Sequence, residues 1–435
     1  MLNTVFSYSN VRVYYLIKGW PYIVKRVISI IVSVMFLMNI LIAPTAHAER
    51  TPIDVAKENH QTIQKQFDPK SAYVTTEQGQ ILYDYHGTRN IDPASTAKLM
   101  TIYLILEDIK QGDAHLSDKV KITPTYEQMS QLPNLTTFPL KNKQTYTVDQ
   151  LLKQAMLESS NAATLVLAHH VDGDISKFTD RMNHKAKQLG MHHTHFTNPS
   201  GANNQLIHQF IPKAYKSETT SQSTAQDMAI LSQAILKQYP EVLNYSKLET
   251  DKQYGKTLKN TNLSLPHGPD ALKIVNADGL KTGTSENGYN LVLTAKQKEL
   301  RINTVVMNVQ PYPNEAAKHA RQKLANALTE EAFKNYEYRK VISKGEHEID
   351  GKTYEVKKDL YDLVPKDKAK YDLKIIEDEQ LKVDYPRKFL KGYHAPSVEV
   401  EPVTHWGTLI LGALVMIGGV IILTAIIYII VKRRR

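Results

Sequence analysis

The pattern of apolar and polar positions divides the chain into strand-rich ends and a helical middle. Residues 71–76 and 81–85 are rich in Tyr, Val and Ile, and the polar turn Glu77-Gln78-Gly79 separates them. This pattern predicts a β-hairpin. From Pro93 to about Pro240 the apolar residues recur mostly at the helical period, which predicts a long helical region.

Strand character returns in residues 290–295 and 301–309, which a short polar segment joins. A helix is expected next, over residues 314–334, because Ala317, Ala320, Leu324, Leu328 and Ala332 fall on one face. Strands at both ends with helices between them predict an α/β (α+β) domain. In it an antiparallel sheet is flanked by helices, and the middle of the chain forms a helical subdomain.

A small C-terminal all-β domain is predicted over residues 336–392. Short strand candidates occur there, and Asp350-Gly351 is typical of a type I′ hairpin turn. We identify no His-Ser-Asp triad and no metal-like cluster in this region, so we interpret it as a spacer or docking domain. Residues 393–405, with Pro396 and Pro402, are predicted to be a linker.

The N-terminus is typical of an export signal. Lys25 and Arg26 precede the apolar run 27–42, and Ala46-His47-Ala48 supplies the small residues of a cleavage site. We therefore predict a signal peptide over residues 1–48, with cleavage after Ala48. The long segment before the apolar run indicates an over-extended start. A retained N-terminal anchor is the alternative. The catalytic domain would then cover residues 49–335.

A second apolar segment ends the chain. Residues 406–431 carry no charge, and the basic tail 432–435 follows directly. At about 1.5 Å per residue this segment is long enough to cross a hydrocarbon core of about 30 Å. The basic tail should stay in the cytoplasm. The sequence thus predicts a cell-membrane protein with one C-terminal transmembrane helix and an extracellular catalytic domain.

Composition limits the possible chemistry. Of the 435 residues, 42% are hydrophobic and 23% charged, which is ordinary for a globular protein. The absence of cysteine excludes disulfides, thiolate metal sites and a cysteine nucleophile. The net charge of +10 suits an anionic environment. Nucleic acid is not an expected partner, because export contradicts it.

Three short motifs stand in order along the chain: Ser95-Thr96-Ala97-Lys98, Ser159-Ser160-Asn161 and Lys281-Thr282-Gly283-Thr284. An SxxK or SxN match is expected by chance about once or twice in a chain of this length, and a Lys-Thr-Gly tripeptide is rarer. Each motif alone is therefore weak evidence. Their order, on a chain that is predicted to be exported, makes a combined site the stronger hypothesis.

The first motif fits a nucleophile and its base. Ser95 would lie in the first turn of an apolar helix, where free N–H groups favour negative charge. Lys98, three residues later, returns to the same face. It can act as general base for the Ser95 nucleophile only if burial beside a second cation, for which Lys281 is the candidate, lowers its pKa. The alternative is a solvated helix lysine.

The other two motifs would complete the site. Ser159 can relay a proton, and Asn161 can hydrogen-bond the substrate and hold Lys98, although both residue types are also ordinary helix caps. Lys281, Thr282 and Thr284 can bind a terminal carboxylate, and Gly283 allows the substrate main chain to approach closely. The backbone N–H groups of Ser95 and Thr284 can form an oxyanion hole.

This mechanism requires no cofactor and no metal. His192, His193 and His195, near His184, are the strongest metal candidates in the sequence. We interpret them as surface residues of a loop, since histidine clusters in loops are commonly exposed.

The three motifs resemble those of the penicillin-recognising serine enzymes, which comprise penicillin-binding proteins and serine β-lactamases. The resemblance covers about residues 55–335, and the segment 194–201 is similar to one in low-molecular-mass D-alanyl-D-alanine carboxypeptidases. The β-rich region and C-terminal anchor are similar to those of such proteins from Gram-positive cocci. The resemblance implies a transpeptidase/β-lactamase-like fold and an acyl-enzyme on Ser95. It also implies peptidoglycan stem peptides as substrates and β-lactams as covalent inhibitors.

Two alternatives remain open. A serine β-lactamase would carry a Glu-x-x-Leu-Asn pattern, and the nearest match, Glu241-Val242-Leu243-Asn244, is one residue short. A non-catalytic β-lactam sensor or wall-binding protein would be expected to carry a cytoplasmic effector, for which the four-residue tail leaves no room. Whether water or an amine takes the acyl group stays undecided by the sequence.

Overall fold

A computed structural model describes residues 50–403 and 406–433. The predicted signal peptide over residues 1–48 lies outside the described residues, as do the last two residues of the predicted basic tail.

A six-stranded sheet forms the centre of the catalytic region. Every neighbouring pair of strands is antiparallel, in the order β16-β2-β1-β9-β8-β7. The strands are β1 (Ser71–Thr76), β2 (Gln80–Tyr85), β7 (Ala277–Ser285), β8 (Gly288–Gln297), β9 (Leu300–Val309) and β16 (Lys388–Phe389). The predicted hairpin and the predicted later pair of strands are confirmed.

Helices cover both faces of this sheet, which is why the central strands are nearly continuous apolar runs. The helices are α1 (Pro52–Glu58), α2 (Lys98–Gln111), α3 (Pro124–Met129), α4 (Val148–Leu157), α5 (Asn161–Asp172), α6 (Ile175–Leu189), α7 (Asn204–Ile207), α8 (Ala225–Gln238), α9 (Leu243–Ser246) and α10 (Glu315–Asn335). One core joins α2, α4, α5 and α8 to one sheet face, and a second packs α1 and α10 on the other.

Two short hairpin-like pairs interrupt the helical region between β2 and β7. They are β3 (Lys119–Lys121) with β4 (Thr145–Thr147), and β5 (Thr250–Gln253) with β6 (Lys256–Lys259). The predicted helix over residues 314–334 is confirmed with a shift of one residue, since Asn314 caps it by accepting a hydrogen bond from the backbone of Ala317.

The C-terminal region is all-β, as predicted. Its strands are β10 (Tyr336–Ile342), β11 (Gly345–Ile349), β12 (Lys352–Val356), β13 (Leu360–Pro365), β14 (Asp372–Ile376), β15 (Gln380–Asp384) and β17 (Ser397–Pro402). They form the pair β10-β13 and the five-stranded sheet β11-β12-β17-β15-β14. Asp350 and Gly351 have φ values of 50° and 74°, as the predicted type I′ turn requires.

The predicted linker over residues 393–405 is partly wrong. Residues 397–402 form β17, which pairs with both β12 and β15 at the centre of the second sheet. The linker was predicted from Pro396 and Pro402. Pro396 lies just before this strand and Pro402 at its end, where proline does not prevent strand formation. Val400 between them is fully buried in the small core, and that burial outweighs the proline signal.

A connecting segment, residues 385–393, attaches the β-rich region to the catalytic sheet. Lys388 and Phe389 pair with β2, and the Leu390 backbone N–H donates to the Gly79 carbonyl at 2.8 Å. The Leu390 side chain is buried in the larger catalytic core. Part of the region predicted as a separate domain therefore belongs to the catalytic sheet, at the edge opposite β7.

An ion pair holds the connecting segment in place. Arg387 contacts Asp362 of β13 at 2.9 Å, and the two side chains are 5% and 3% exposed. The Tyr385 hydroxyl also donates to the Leu363 carbonyl at 2.7 Å. These contacts fix β13 and β16 relative to each other.

The described chain ends in α11 (Trp406–Arg433). Residues Ile410–Arg433 are long and apolar enough to cross a membrane, and none of that window is buried against the rest of the protein. A single apolar C-terminal helix of this kind is consistent with membrane anchoring.

Candidate active site

Ser95 lies in a 3-10 turn, Ala94–Ala97, that leads directly into α2. The turn begins with a strained residue, since Ala94 has a φ of 46°. The Asp92 carboxylate accepts a hydrogen bond from the Ala94 backbone at 2.8 Å and stabilises this conformation. The prediction placed Ser95 in the first helical turn, and the structure places it one turn earlier, with its hydroxyl toward Lys98.

Lys98 is fully buried at the start of α2. Its Nζ lies 2.9 Å from Ser95 Oγ, and it donates to Asn161 Oδ1 and to the Ser200 carbonyl, both at 2.8 Å. Burial lowers the pKa of Lys98 well below its usual value, and the charge of Lys281 lowers it further. A neutral amine has two N–H groups and one lone pair. Because Asn161 and Ser200 take the two N–H groups, the lone pair is left for the Ser95 hydroxyl.

The Ser200 carbonyl is a functional group that the sequence analysis missed. Asn198 Oδ1 holds its loop by accepting hydrogen bonds from the Ser200 backbone, the Ser200 hydroxyl and the Gly201 backbone. Gly201 has a φ of 68°, and a Cβ there would lie 2.1 Å from the Ala94 carbonyl oxygen. A backbone carbonyl leaves no mark on residue type, so the nearby Asn198 and Gly201 were the available signals.

Ser159 lies in the turn between α4 and α5, with a φ of 62°. Its Oγ is buried and has no hydrogen-bond partner among the described residues. Ser160, not Ser159, caps α5, since its Oγ accepts from the Ala163 backbone at 3.2 Å. The capping alternative therefore applies to the middle residue of the motif and leaves Ser159 and Asn161 to the site. Asn161 also donates to the Thr136 carbonyl at 2.8 Å.

The residues Lys281, Thr282, Gly283 and Thr284 lie within β7, the edge strand of the sheet. After the helical region, strand character in the sequence was predicted only from residue 290 onward, so this strand was not foreseen. Lys281 is buried, and burial together with the charge of Arg321 lowers its pKa to about 7. Thr282 Oγ1 is within 2.7 Å of Thr261 Oγ1, a second hydroxyl that the motif search did not include.

Gly283 has a close neighbour that the sequence analysis did not foresee. A Cβ at this position would lie 2.9 Å from the Pro93 carbonyl oxygen and 3.1 Å from Thr96 Cγ2. The glycine therefore allows the turn that carries Ser95 to approach β7. The predicted close approach was that of the substrate main chain.

Arg321 on α10 is the second functional residue that the sequence analysis missed. Its side chain is 1% exposed, and Nη1 donates to the carbonyls of Gly283 and Asn290, both at 3.1 Å. Burial lowers its pKa to about 10. It lies four residues after Ala317 on the apolar face of the helix, and a charge on that face was a usable signal.

These groups open into one cavity of about 480 Å³. Residues of all three motifs and of α10 line it: Ser95, Thr136, Glu158, Ser159, Thr261, Thr282, Thr284, Tyr289, Tyr312, Pro313, Asn314, Glu315, Lys318 and Arg321. The cavity joins Ser95 and the hydroxyl groups of β7 to the cations Lys318 and Arg321 of α10, which suits a substrate that ends in a carboxylate.

The β-lactamase candidate segment lies elsewhere. Glu241–Asn244 spans a 3-10 turn and the start of α9, and none of these residues lines the cavity. The histidine cluster also has ordinary contacts, since His195 Nε2 lies 2.6 Å from Glu218 and His184 contacts Gln188. Within residues 50–403 and 406–433, no group of three or more potential metal ligands comes together.

Comparison with known families gives two matches. The family described as D-alanyl-D-alanine carboxypeptidase matches residues 57–311, and a domain of unknown function matches residues 338–401. The chain is 30% identical over 322 residues to D-alanyl-D-alanine carboxypeptidase DacF of Bacillus subtilis, which covers 72% of each chain. It is 30% identical over 264 residues to DacA of Haemophilus influenzae, covering 60% of this chain and 61% of that one.

Solved structures agree with these matches. A peptidoglycan synthesis regulatory factor (PBP3) from Streptococcus pneumoniae aligns with a TM-score of 0.64 at 26% identity, covering 77% of this chain and 98% of the other. Penicillin-binding protein D2 of Listeria monocytogenes, in its cefotaxime-bound form, aligns with a TM-score of 0.51 at 26% identity. That alignment covers 63% of this chain and 99% of the other.

Proposed function

Because the chain belongs to the family of D-alanyl-D-alanine carboxypeptidases, we propose that Ser95 is the residue on which this serine enzyme forms its acyl-enzyme. One observation carries the proposal. Lys98 is buried, and both of its other hydrogen-bonding positions are occupied, so its lone pair is directed at Ser95 Oγ. A serine hydroxyl needs such a base before it can attack a carbonyl.

The acylation step follows from this arrangement. Lys98 takes the proton of Ser95 as the hydroxyl oxygen attacks the carbonyl of the penultimate D-Ala. The backbone N–H groups of Ser95 and Thr284 receive the oxyanion, and one such donor contributes roughly 2.7–4 kcal/mol in other enzymes. Ser159, whose buried hydroxyl has no hydrogen-bond partner within residues 50–403 and 406–433, passes the proton from Lys98 to the leaving nitrogen. Water then hydrolyses the ester and restores Ser95.

The terminal carboxylate of the substrate is assigned to the cationic wall. Thr282 and Thr284 offer hydroxyl groups on β7, and Lys281 and Arg321 supply positive charge behind them. The stem peptide would extend along the open edge of β7, as an added strand. Asn161 holds Lys98 and can donate to the peptide main chain.

β-Lactams are the proposed covalent inhibitors. The related Listeria monocytogenes protein has been solved with cefotaxime and with ampicillin. A β-lactam presents a strained amide and a carboxylate, which match the nucleophile and the cationic wall of this cavity. Acylation of Ser95 by such a compound would block the site.

The location of the enzyme is also a proposal. The apolar helix α11 would anchor it in the cell membrane, with the catalytic domain outside the cell and the basic tail in the cytoplasm. The signal peptide over residues 1–48 and a catalytic domain over residues 49–335 remain predictions. We place the end of the β-rich domain at about residue 402, because β17 belongs to its sheet.

Replacement of the proposed nucleophile tests the function. Ser95→Ala should abolish covalent labelling by a fluorescent penicillin, measured by gel fluorescence, because no other group would carry the ester. Ser285→Ala, at the end of β7, is the matched control and should keep its labelling. Persistent labelling of Ser95→Ala would remove Ser95 from the proposed role.

A further inference from the structure

The site cavity must hold an amine nitrogen as well as a carboxylate. The terminal D-Ala leaves through its nitrogen, and its carboxylate is assigned to the wall that Thr282 and Arg321 form. Any amine that takes the acyl group must approach by the route along which that nitrogen left, since forward and reverse reactions share one path. The nitrogen of the leaving D-Ala carries positive charge as its bond to the acyl carbon breaks. The nitrogen of the acceptor amine carries positive charge as its bond to that carbon forms.

Two carboxylates line this cavity, Glu158 and Glu315. Glu315 forms an ion pair with Lys318 at 3.1 Å, which leaves Glu158 as the one that suits such a charge. Glu158 directly precedes Ser159, is partly buried, and lines the same cavity as Ser95 and Thr282. A backbone hydrogen bond at Lys259 holds its carboxylate, and the more distant charge of Lys256 acts to lower its pKa. No lysine or arginine nitrogen lies within 4.0 Å of it among the described residues, so this carboxylate has no ion pair.

Helix stability does not explain this carboxylate. Glu158 is the C-terminal capping residue of α4, where the helix dipole disfavours negative charge. Burial raises its pKa, which shows that the charged form is disfavoured there. It is also not among the charges that shift the pKa of Lys98 or of Lys281. A partly buried carboxylate that lacks an ion pair and lies at the C-terminal end of a helix is typical of a functional residue.

We propose that Glu158 binds the reacting amine nitrogen and thereby favours transfer of the acyl group to amines over hydrolysis. The proposal rests on the acyl-enzyme at Ser95. It adds a residue that determines which acceptor reacts, with a small peptide amine as the acceptor class.

The transfer step is balanced as follows. The acceptor amine, after losing one proton to solvent, forms a bond from its nitrogen to the acyl carbon. The ester bond to Ser95 Oγ breaks, and a proton from the nitrogen passes through Ser159 and Lys98 to Ser95. Glu158 accepts a hydrogen bond from the nitrogen while that atom is positively charged, and it is unchanged at the end.

An ester donor isolates this step. A stem-peptide analogue ending in D-lactate acylates Ser95 with an alcohol as leaving group, so acylation involves no leaving amine. The acyl-enzyme is then offered glycinamide or its hydroxyl counterpart glycolamide, and the ratio of transfer to hydrolysis is measured. For Glu158→Gln we expect the glycinamide ratio to fall about fivefold and the glycolamide ratio to stay unchanged.

The control variant is Glu330→Gln on α10, which removes the same charge from outside the cavity and should leave both ratios unchanged. An unchanged glycinamide ratio in Glu158→Gln, or an equal fall for both acceptors, overturns the proposal. Penicillin labelling of each variant is measured in parallel. Normal labelling with an unchanged ratio refutes the role of Glu158 alone, whereas labelling that survives in Ser95→Ala refutes the acyl-enzyme itself.

Discussion

At the scale of single residues, the site depends on three buried basic side chains, Arg321, Lys281 and Lys98. Arg321 lowers the pKa of Lys281, and Lys281 lowers the pKa of Lys98. Burial is the larger cause in each case, so the site is built by removing these side chains from water. The result is a neutral Lys98 beside Ser95, with the charge of Lys281 close to Lys98 but farther from Ser95.

This arrangement predicts a bell-shaped pH dependence. Penicillin acylation should rise with pH as Lys98 loses its proton, because only the neutral amine can take the Ser95 proton. It should fall as pH passes about 7, where Lys281 loses the charge that attracts the carboxylate. Stopped-flow labelling from pH 5 to 10 measures both limbs, and a single limb near the ordinary lysine pKa would contradict the mechanism.

Arg321→Gln extends the same prediction. Without the neighbouring guanidinium the pKa of Lys281 should rise, so the alkaline limb should move to higher pH. Arg181→Gln on α6, whose partners are Asp108 and Asp172, is the control and should leave the limb in place.

The sequence was informative about residues whose type carries the chemistry. Ser95, Lys98, Ser159 and Asn161 could be chosen from motif and spacing, because hydroxyl, amine and amide groups are needed there. The Ser200 carbonyl could not, since every residue has one. Arg321 was missed because its role depends on the packing of α10 against β7 and β8, which no local pattern shows.

At the scale of elements, the turn that carries Ser95 is fixed from two sides. Gly283 of β7 leaves room for Pro93 and Thr96, and Gly201 leaves room for Ala94. The SxxK turn, the KTG strand and the Ser200 loop therefore contact each other through backbone atoms. A small change in one glycine should move the nucleophile.

Gly201→Ala is expected to lower the acylation rate at least tenfold, because the new Cβ would collide with the Ala94 carbonyl and shift Ser95. Gly255→Ala is a matched control. Gly255 also has a positive φ, 77°, but a Cβ there meets nothing within 4 Å. It should lose about 1 kcal/mol of stability and keep its rate. Equal rates in the two variants would contradict the backbone contact.

Elements with strong periodicity were predictable, and those held by distant partners were not. The hairpin of β1 and β2 and the helix α10 follow from local spacing. β16 has two residues, and β17 lies next to prolines in a polar segment. Both form strands because strands that precede them in the chain are available for pairing. β16 pairs with β2, and β17 pairs with β12.

At the scale of the whole molecule, the Arg387–Asp362 pair joins the connecting segment to the β-rich domain. Because both side chains are almost fully buried, Arg387→Met should leave Asp362 uncompensated and lower the free energy of unfolding by about 3–5 kcal/mol. Lys340→Met, which breaks the exposed pair with Asp359, should cost much less, because water screens that pair. Urea unfolding of the two variants measures the difference, and similar losses would show that the buried pair is not needed.

The domain plan was predictable in outline because composition and periodicity change along the chain. The boundary between the catalytic and β-rich domains was not, since the chain returns to the first sheet after leaving it. Only the three-dimensional pairing of β16 with β2 shows that return.

An open β-sheet has two edge strands, and each can pair with another extended polypeptide, either a substrate or a second protein molecule. In the six-stranded sheet, β16 is the edge strand beside β2, and β7 is the edge strand on the other side. An extended peptide can therefore pair with β7, on the side of the sheet near the Ser95 hydroxyl. On the far side of the sheet, the pairing of β16 with Gln80 and Ile81 hinders edge-to-edge association at that part of β2.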